Sequence, residues 1–143
     1  MSAAEIIDAG RYMVLGTADE QGRPWASPVW FAPDGYRRFL WVSRTETRHS
    51  GNLAVRPELS IVIFDSGVPI GTGVGVYMDA VAEQLTGAEA EAGMAIFSRR
   101  SLAQGGREWT VADVSTPAEL RLYRATAAEQ WLGEHDRRTP VVL

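Results

Sequence analysis

The chain has 143 residues, 45% of them hydrophobic, which suits one compact domain with its own core and leaves little room for a second. It has no cysteine, so disulfides, thiolate metal ligands and a cysteine nucleophile are excluded. A formal charge of -4 and a pI near 5.2 argue against a nucleic-acid binder, whose affinity rests on a basic face.

Ser2-Ala3-Ala4-Glu5 reads as a capping box opening one short helix, with Ile6 and Ile7 on its covered side and Gly10 as its stop. These first residues lack the basic and apolar regions of a secretion signal, and no apolar run approaches the ~20 residues that span a bilayer. A cytoplasmic protein outside the membrane is the expectation. Tyr12 to Ala18 is a β-rich run closed by Asp19-Glu20-Gln21-Gly22, a hairpin signal. Pro24 and Pro28 donate no ladder hydrogen bond, which assigns them to a strand start, an edge or a bulge.

The centre of the chain is the stretch from Ser27 to Leu53. Ser27 to Ala32 and Phe39 to Ser43 read as two strands of one hairpin around Asp34-Gly35, and a helix follows through Val55 until Arg56-Pro57 ends it. Ser43, Thr45 and Thr47 stand where a helix start leaves N–H groups unpaired, with Arg48 and His49 beside them. Two readings stand: a seat for a phosphate, or an ordinary capping box of Ser43 and Glu46 with Arg48 as a solvated charge.

Leu59 to Asp65 is a mostly apolar strand, Ser66 to Gly73 a long loop that is either a flap or a slack connection, and Gly75 to Leu85 an alternating strand. Thr86-Gly87-Ala88-Glu89 predicts a capped helix that ends by Gly105-Gly106, with Arg99 and Arg100 as structural cations near its end. Trp109 to Val114 is short and ambiguous. Glu119 to Ala125 alternates as a strand, although Thr116 to Glu119 also has a helix-start pattern, and the tail past Trp131 ends in another strand or an arm. The count is about six or more strands with irregular helices, which predicts a mainly β fold, an antiparallel barrel with peripheral helices, as a single domain over 1–143.

His49 and His135 lie far apart without partners at ligand spacing, so no metal site is expected. No Gly-x-Ser-x-Gly turn is present, and Gly71-Thr72-Gly73-Val74-Gly75 meets neither the P-loop nor the dinucleotide fingerprint. Any redox chemistry is therefore borrowed from a bound cofactor. Trp25, Trp30 and Trp41 either line a slot for a planar ring or pack a core.

The central stretch resembles the pyridoxamine 5′-phosphate oxidase-like family of flavin-binding split β-barrels. In the oxidase, Arg-Met-Val-Leu-Leu-Lys, then Tyr-Thr after a hairpin, then Ser-Arg-Lys at a helix start contact flavin mononucleotide. Laid on this chain without a gap, these fall on Ser27 to Ala32, Val42-Ser43 and Thr47-Arg48-His49. The likeness continues through Asn52-Leu53, Arg56-Pro57 and Leu59 to Phe64, and the closing strands Leu120 to Trp131 fit as well. It implies a split β-barrel, a homodimer and a flavin site made by Ser27, Pro28, Val29, Trp30, Val42, Ser43, Thr47, Arg48, His49 and Asn52, with no side chain required as acid or base. Trp131 is a candidate to close the site from the partner chain. Ser27 and Ala32 replace the charged ends of the first motif and His49 replaces a cation. The resemblance thus implies an FMN oxidoreductase acting on a small organic acceptor other than pyridoxamine phosphate. Its alternatives are a deazaflavin-dependent reductase, drawing on Arg44, Arg48, Arg56, Arg99 or Arg100 for the longer acidic tail, and a barrel that binds cofactor without catalysis.

Overall fold

The computed structural model describes residues 1–143, and its first elements begin where side chains satisfy loose backbone groups. Ser2 Oγ accepts the Glu5 N–H at 3.2 Å and opens α1 (Ala3–Ala9). Asp19 Oδ1 accepts the N–H groups of Gln21 and Arg23, both at 2.9 Å, in the turn between β1 (Tyr12–Ala18) and β2 (Pro24–Trp30). There follow β3 (Ala32–Asp34), β4 (Arg38–Arg44), α2 (Arg48–Val55), β5 (Glu58–Phe64) and β6 (Val74–Leu85). The chain ends with α3 (Gly87–Ala103), a 3-10 turn (Val111–Val114), β7 (Leu120–Glu134) and β8 (Arg137–Val141). No helix is long and apolar enough to cross a membrane.

The fold is mainly β and antiparallel, an eight-stranded split barrel in the order β2-β1-β5-β6-β7-β4-β3. On one edge β7 carries β4 along Leu120 to Thr126 and β8 along Gln130 to Glu134, and on the other it pairs with β6, so one long strand serves three neighbours. Only Phe31 separates β2 from β3, yet these strands stand at opposite ends of the order. The sheet must therefore curl until its ends meet, which is how a barrel closes. Where they meet, no ladder joins β2 to β4, and this seam is where the barrel is split.

Three local expectations need correction, and one ambiguous stretch is resolved. Ser27 to Ala32 and Phe39 to Ser43 do not form one hairpin: β2 pairs with β1, and the hairpin around Asp34-Gly35 is β3 with β4. Gly35 carries it with φ +67, a conformation costly to residues with a Cβ. The Thr86 side chain makes no cap bond, and the Glu89 carboxylate that would complete a capping box instead accepts from Arg124 Nη2 at 2.8 Å. Trp109 to Val114 contains a 3-10 turn whose Thr110 N–H donates to Asp113 Oδ2 at 2.9 Å. Finally, α2 is capped by Thr47, whose Oγ1 accepts the Ser50 N–H at 3.2 Å, so Ser43 and Glu46 are not its capping box.

Alternation along β4 creates two cores. Phe39 and Trp41 point into the barrel with Met13, Leu15, Ile61 and Met78, whereas Leu40 points outward to Ala32, Leu122 and the Met94 and Phe97 side chains of α3. Trp41 is fully buried and stacks on Tyr123 with ring centroids 5.5 Å apart, so it is a core residue and lines no slot. Arg100, as expected, is structural: its Nη2 donates to the Asp8 and Gly10 carbonyls at 2.8 and 2.9 Å, tying α3 to the end of α1.

Candidate cofactor-binding site

At the seam between β2 and β4 the side chains of α2 complete what the backbone leaves open. His49, in the first turn of α2, lies between the two strands. Its Nδ1 shares a hydrogen bond with Ser27 Oγ of β2 at 3.0 Å, and its Nε2 one with Ser43 Oγ of β4 at 2.9 Å. Burial holds the imidazole below its ordinary titration range, so the ring is neutral at pH 7. One ring nitrogen then donates and the other accepts, and the bridge is a closed chain of neutral hydrogen bonds. On the same helix Asn52 is buried and donates from Nδ2 to Thr17 Oγ1 at 3.0 Å, which fastens α2 to β1.

Beside the bridge is a cavity of about 580 Å³, a volume suited to a cofactor-sized ligand. Pro28, Val29, Trp30, Val42, Ser43 and His49 line it, six of the residues singled out by the sequence. Its apolar wall is a run of edge-on rings: Trp30 meets Phe97 at 4.9 Å and Phe97 meets Trp109 at 5.3 Å, each pair at 88°. Trp30 Nε1 donates to Gln104 Oε1 at 2.8 Å, which fixes the indole against α3. Arg11 and Arg107 also line the cavity, and no carboxylate does. A wall of flat apolar faces with cations at its border accepts a planar, anionic ligand.

The other expected residues lie outside this cavity. Ser27 reaches it through His49, and Thr47 serves as a helix cap. Arg48 is exposed, its guanidinium 4.2 Å above the Trp25 ring. Trp131 lies along β7 opposite Pro140 of β8 and Tyr77 of β6. The loop Ser66 to Gly73 contributes Ser66, Val68 and Thr72 to a separate cavity of about 640 Å³ with Tyr12 and Phe64, and so does not cover the seam. A larger hollow of about 1020 Å³, lined by Thr17, Trp25, Leu59, Asp79 and Val81, includes neither serine of the bridge nor His49.

Arg11, Phe97, Gln104, Arg107 and Trp109 escaped the sequence reading. The first follows the glycine that stops α1, and the others come from the end of α3 and the turn beyond it. Their one visible signal was two aromatic rings and a cation flanking Gly105-Gly106, which also reads as a helix stop.

Fold and site together define a split β-barrel with a cofactor-sized cavity at its seam. The model of the pyridoxamine 5′-phosphate oxidase family matches residues 2–132, and the chain belongs to that family. No curated protein matches the sequence. Among solved structures it is similar to HutZ, the heme storage protein from Vibrio cholerae, with 21% identity over 93% of this chain and 94% of that one and a TM-score of 0.71. It is also similar to a heme binding protein from Mycobacterium smegmatis, with 21% identity and a TM-score of 0.77. That match covers 99% of this chain and 58% of the other, so this chain spans little more than half its length. A protein from Clostridium acetobutylicum related to general stress protein 26, of the pyridoxinephosphate oxidase family, shows 16% identity over 97% and 90% of the two chains with a TM-score of 0.66. At these identities the likeness is one of fold.

Proposed function

We propose that this protein is a cytoplasmic, homodimeric oxidoreductase that binds flavin mononucleotide at the seam and acts on a small organic acceptor other than pyridoxamine phosphate. The observation that carries this reading is the convergence of Pro28, Val29, Trp30, Val42, Ser43 and His49 on one ring-walled cavity. The residues present fit the cofactor: Trp30, Phe97 and Trp109 offer apolar faces to a tricyclic ring, and Ser43 offers a hydroxyl to the phosphate end. When bound, the flavin supplies the redox step. The chain supplies position, a dry wall and positive potential.

Arg48, which stands outside the cavity over Trp25, is the cation we assign to the phosphate, and it has to swing off that ring to reach it. Leaving the exposed face of Trp25 costs it about 0.5–1 kcal/mol, whereas a hydrogen bond to a charged oxygen is worth about 1.5–3 kcal/mol. The exchange favours the phosphate. A deazaflavin tail would need more cations, and three of those named for it are otherwise engaged. Arg44 pairs with Glu119, Arg56 donates to the Glu20 carbonyl at 3.2 Å, and Arg100 is tied to α1. This favours the shorter coenzyme. Two similar structures are named for heme, but in this chain the buried histidine has both ring nitrogens engaged by serines and offers none to iron. Exposed Trp25 and Val81 line one hollow, and that shared apolar face supports association with a second copy.

The test is a visible spectrum and mass of whatever co-purifies, then titration of the stripped protein with FMN, riboflavin and deazaflavin. The expected result is a flavin spectrum, preference for FMN, and a sedimentation mass of two chains. Arg48→Ala weakens FMN by roughly ten- to a hundredfold, leaves riboflavin unchanged and barely moves the melting temperature. Deazaflavin preference, a heme spectrum or sedimentation as single chains each removes the corresponding part of the reading, and equal FMN affinity in Arg48→Ala removes the phosphate assignment.

A further inference from the structure

The Ser27–His49–Ser43 bridge has a property that a lysine or arginine in the same place would lack. With the ring neutral, one serine accepts from His49 and the other donates to it. Adding a proton makes both ring nitrogens donors, so both serines must accept, and the hydroxyl hydrogen of the serine that had been donating is released to find another partner. Ser43 lines the cavity, and with the ring protonated its hydroxyl hydrogen is free to point there whichever tautomer the neutral ring holds. A single proton thus turns the ring into a cation with both serine hydroxyls free to donate beside it.

No protein group stands ready to balance that cation. Of the titratable and charged residues around it, the cavity presents Arg11, Arg107 and Tyr12. From β4, Arg44 is turned to Glu119, and on α2 itself Arg48 lies over Trp25. β2 contributes Ser27 to the ring, and α3 with its C-cap contributes Ser101 and Gln104 to the cavity. Glu46, in the turn before α2, is exposed and does not line the cavity, so with no carboxylate in its lining the compensating charge comes with a ligand.

We infer that anion binding at the seam is coupled to protonation of His49, so that the anionic end of the ligand and one proton arrive together. The inference rests on the flavin reading above and adds a pH law to it. Burial already keeps the free ring neutral at pH 7, and an adjacent phosphate pulls its titration upward. Between the free and the liganded titration points, affinity falls up to about tenfold for each unit of rising pH; outside that window it is flat.

The test is calorimetric titration with FMN and riboflavin from about pH 5.5 to 8.5, in two buffers of different ionisation enthalpy. The unmodified protein is expected to take up about one proton per FMN and none per riboflavin, which shares the ring without the phosphate. Because the phosphate itself gains charge near pH 6 and opposes the trend, sulfate, whose charge is constant over this range, serves as competitor and competes better as the pH falls. His49→Lys carries a permanent cation, and its affinity for sulfate is independent of pH. FMN binding without proton uptake, or an unchanged sulfate slope in His49→Lys, overturns the coupling and leaves the flavin reading standing. Failure of FMN and riboflavin to bind at any pH overturns both.

Discussion

His49 is neutral because water is kept from it, and that has a consequence for the stability of the ligand-free protein. In the unfolded chain its titration lies near pH 6.5, and in the fold burial lowers it. Between these two points the unfolded state binds more protons, so stability rises with pH there. The contribution is complete above about pH 6.5 and is lost as pH falls toward the folded value. Melting temperatures measured from pH 5 to 8 are therefore expected to drop on the acid side for the parent. His49→Gln, which does not titrate, lacks that component whatever its absolute stability. Parallel curves for the two proteins would mean that the ring is not held neutral. The sequence placed Ser27, Ser43 and His49 in one site, but it did not reveal that they bond to one another. That fact depends on the distance between two strands that share no ladder, and no local spacing encodes it.

At the scale of elements, the outer wall of the cavity belongs to α3, and α3 is held in place near its C-terminal end. Arg100 donates to two carbonyls at the end of α1, and Gln104 takes the Trp30 N–H. A cation there also faces the negative end of the α1 dipole. Arg100→Ala removes charged hydrogen bonds and should cost about 1.5–3 kcal/mol, measured by denaturant unfolding, with a weaker hold on flavin because Trp30 and Phe97 lose their backing. A loss of stability with flavin affinity unchanged would separate the anchor from the wall. The elements readable from sequence are those whose signals are local: the Ser2 cap, the β1 run, the alternation of β6, the glycine stop after α3. The Asp19 to Gly22 turn correctly signals the β1–β2 hairpin, but Ser27 to Ala32 and Phe39 to Ser43 do not pair, because β2 is already held by β1 and the turn at Asp34-Gly35 joins the short β3 to β4. Phe31 ends β2 only because β1 claims the residues before it and β4 those after it.

For the whole molecule, the two cores are opposite faces of the same strands. Leu40 and Trp41 are neighbours on β4, one under α3 and the other inside the barrel, and β7 repeats this with Leu122 and Tyr123. Neither core can open without moving the strand that floors the other. The ladder adds to this, since β2 and β3 are adjacent in sequence but joined through five intervening strands. Thermal unfolding is accordingly expected as one transition. For a chain of 143 residues the enthalpy should be about 100 kcal/mol at the midpoint, with calorimetric and van't Hoff values equal. Far-ultraviolet dichroism follows the sheet, and tryptophan fluorescence follows Trp41 in one core and Trp30 beside the other; all should report one midpoint. Were α3 to leave first, Trp30 fluorescence would change at a lower temperature than the sheet signal, and the shared strands would not be coupling the two cores.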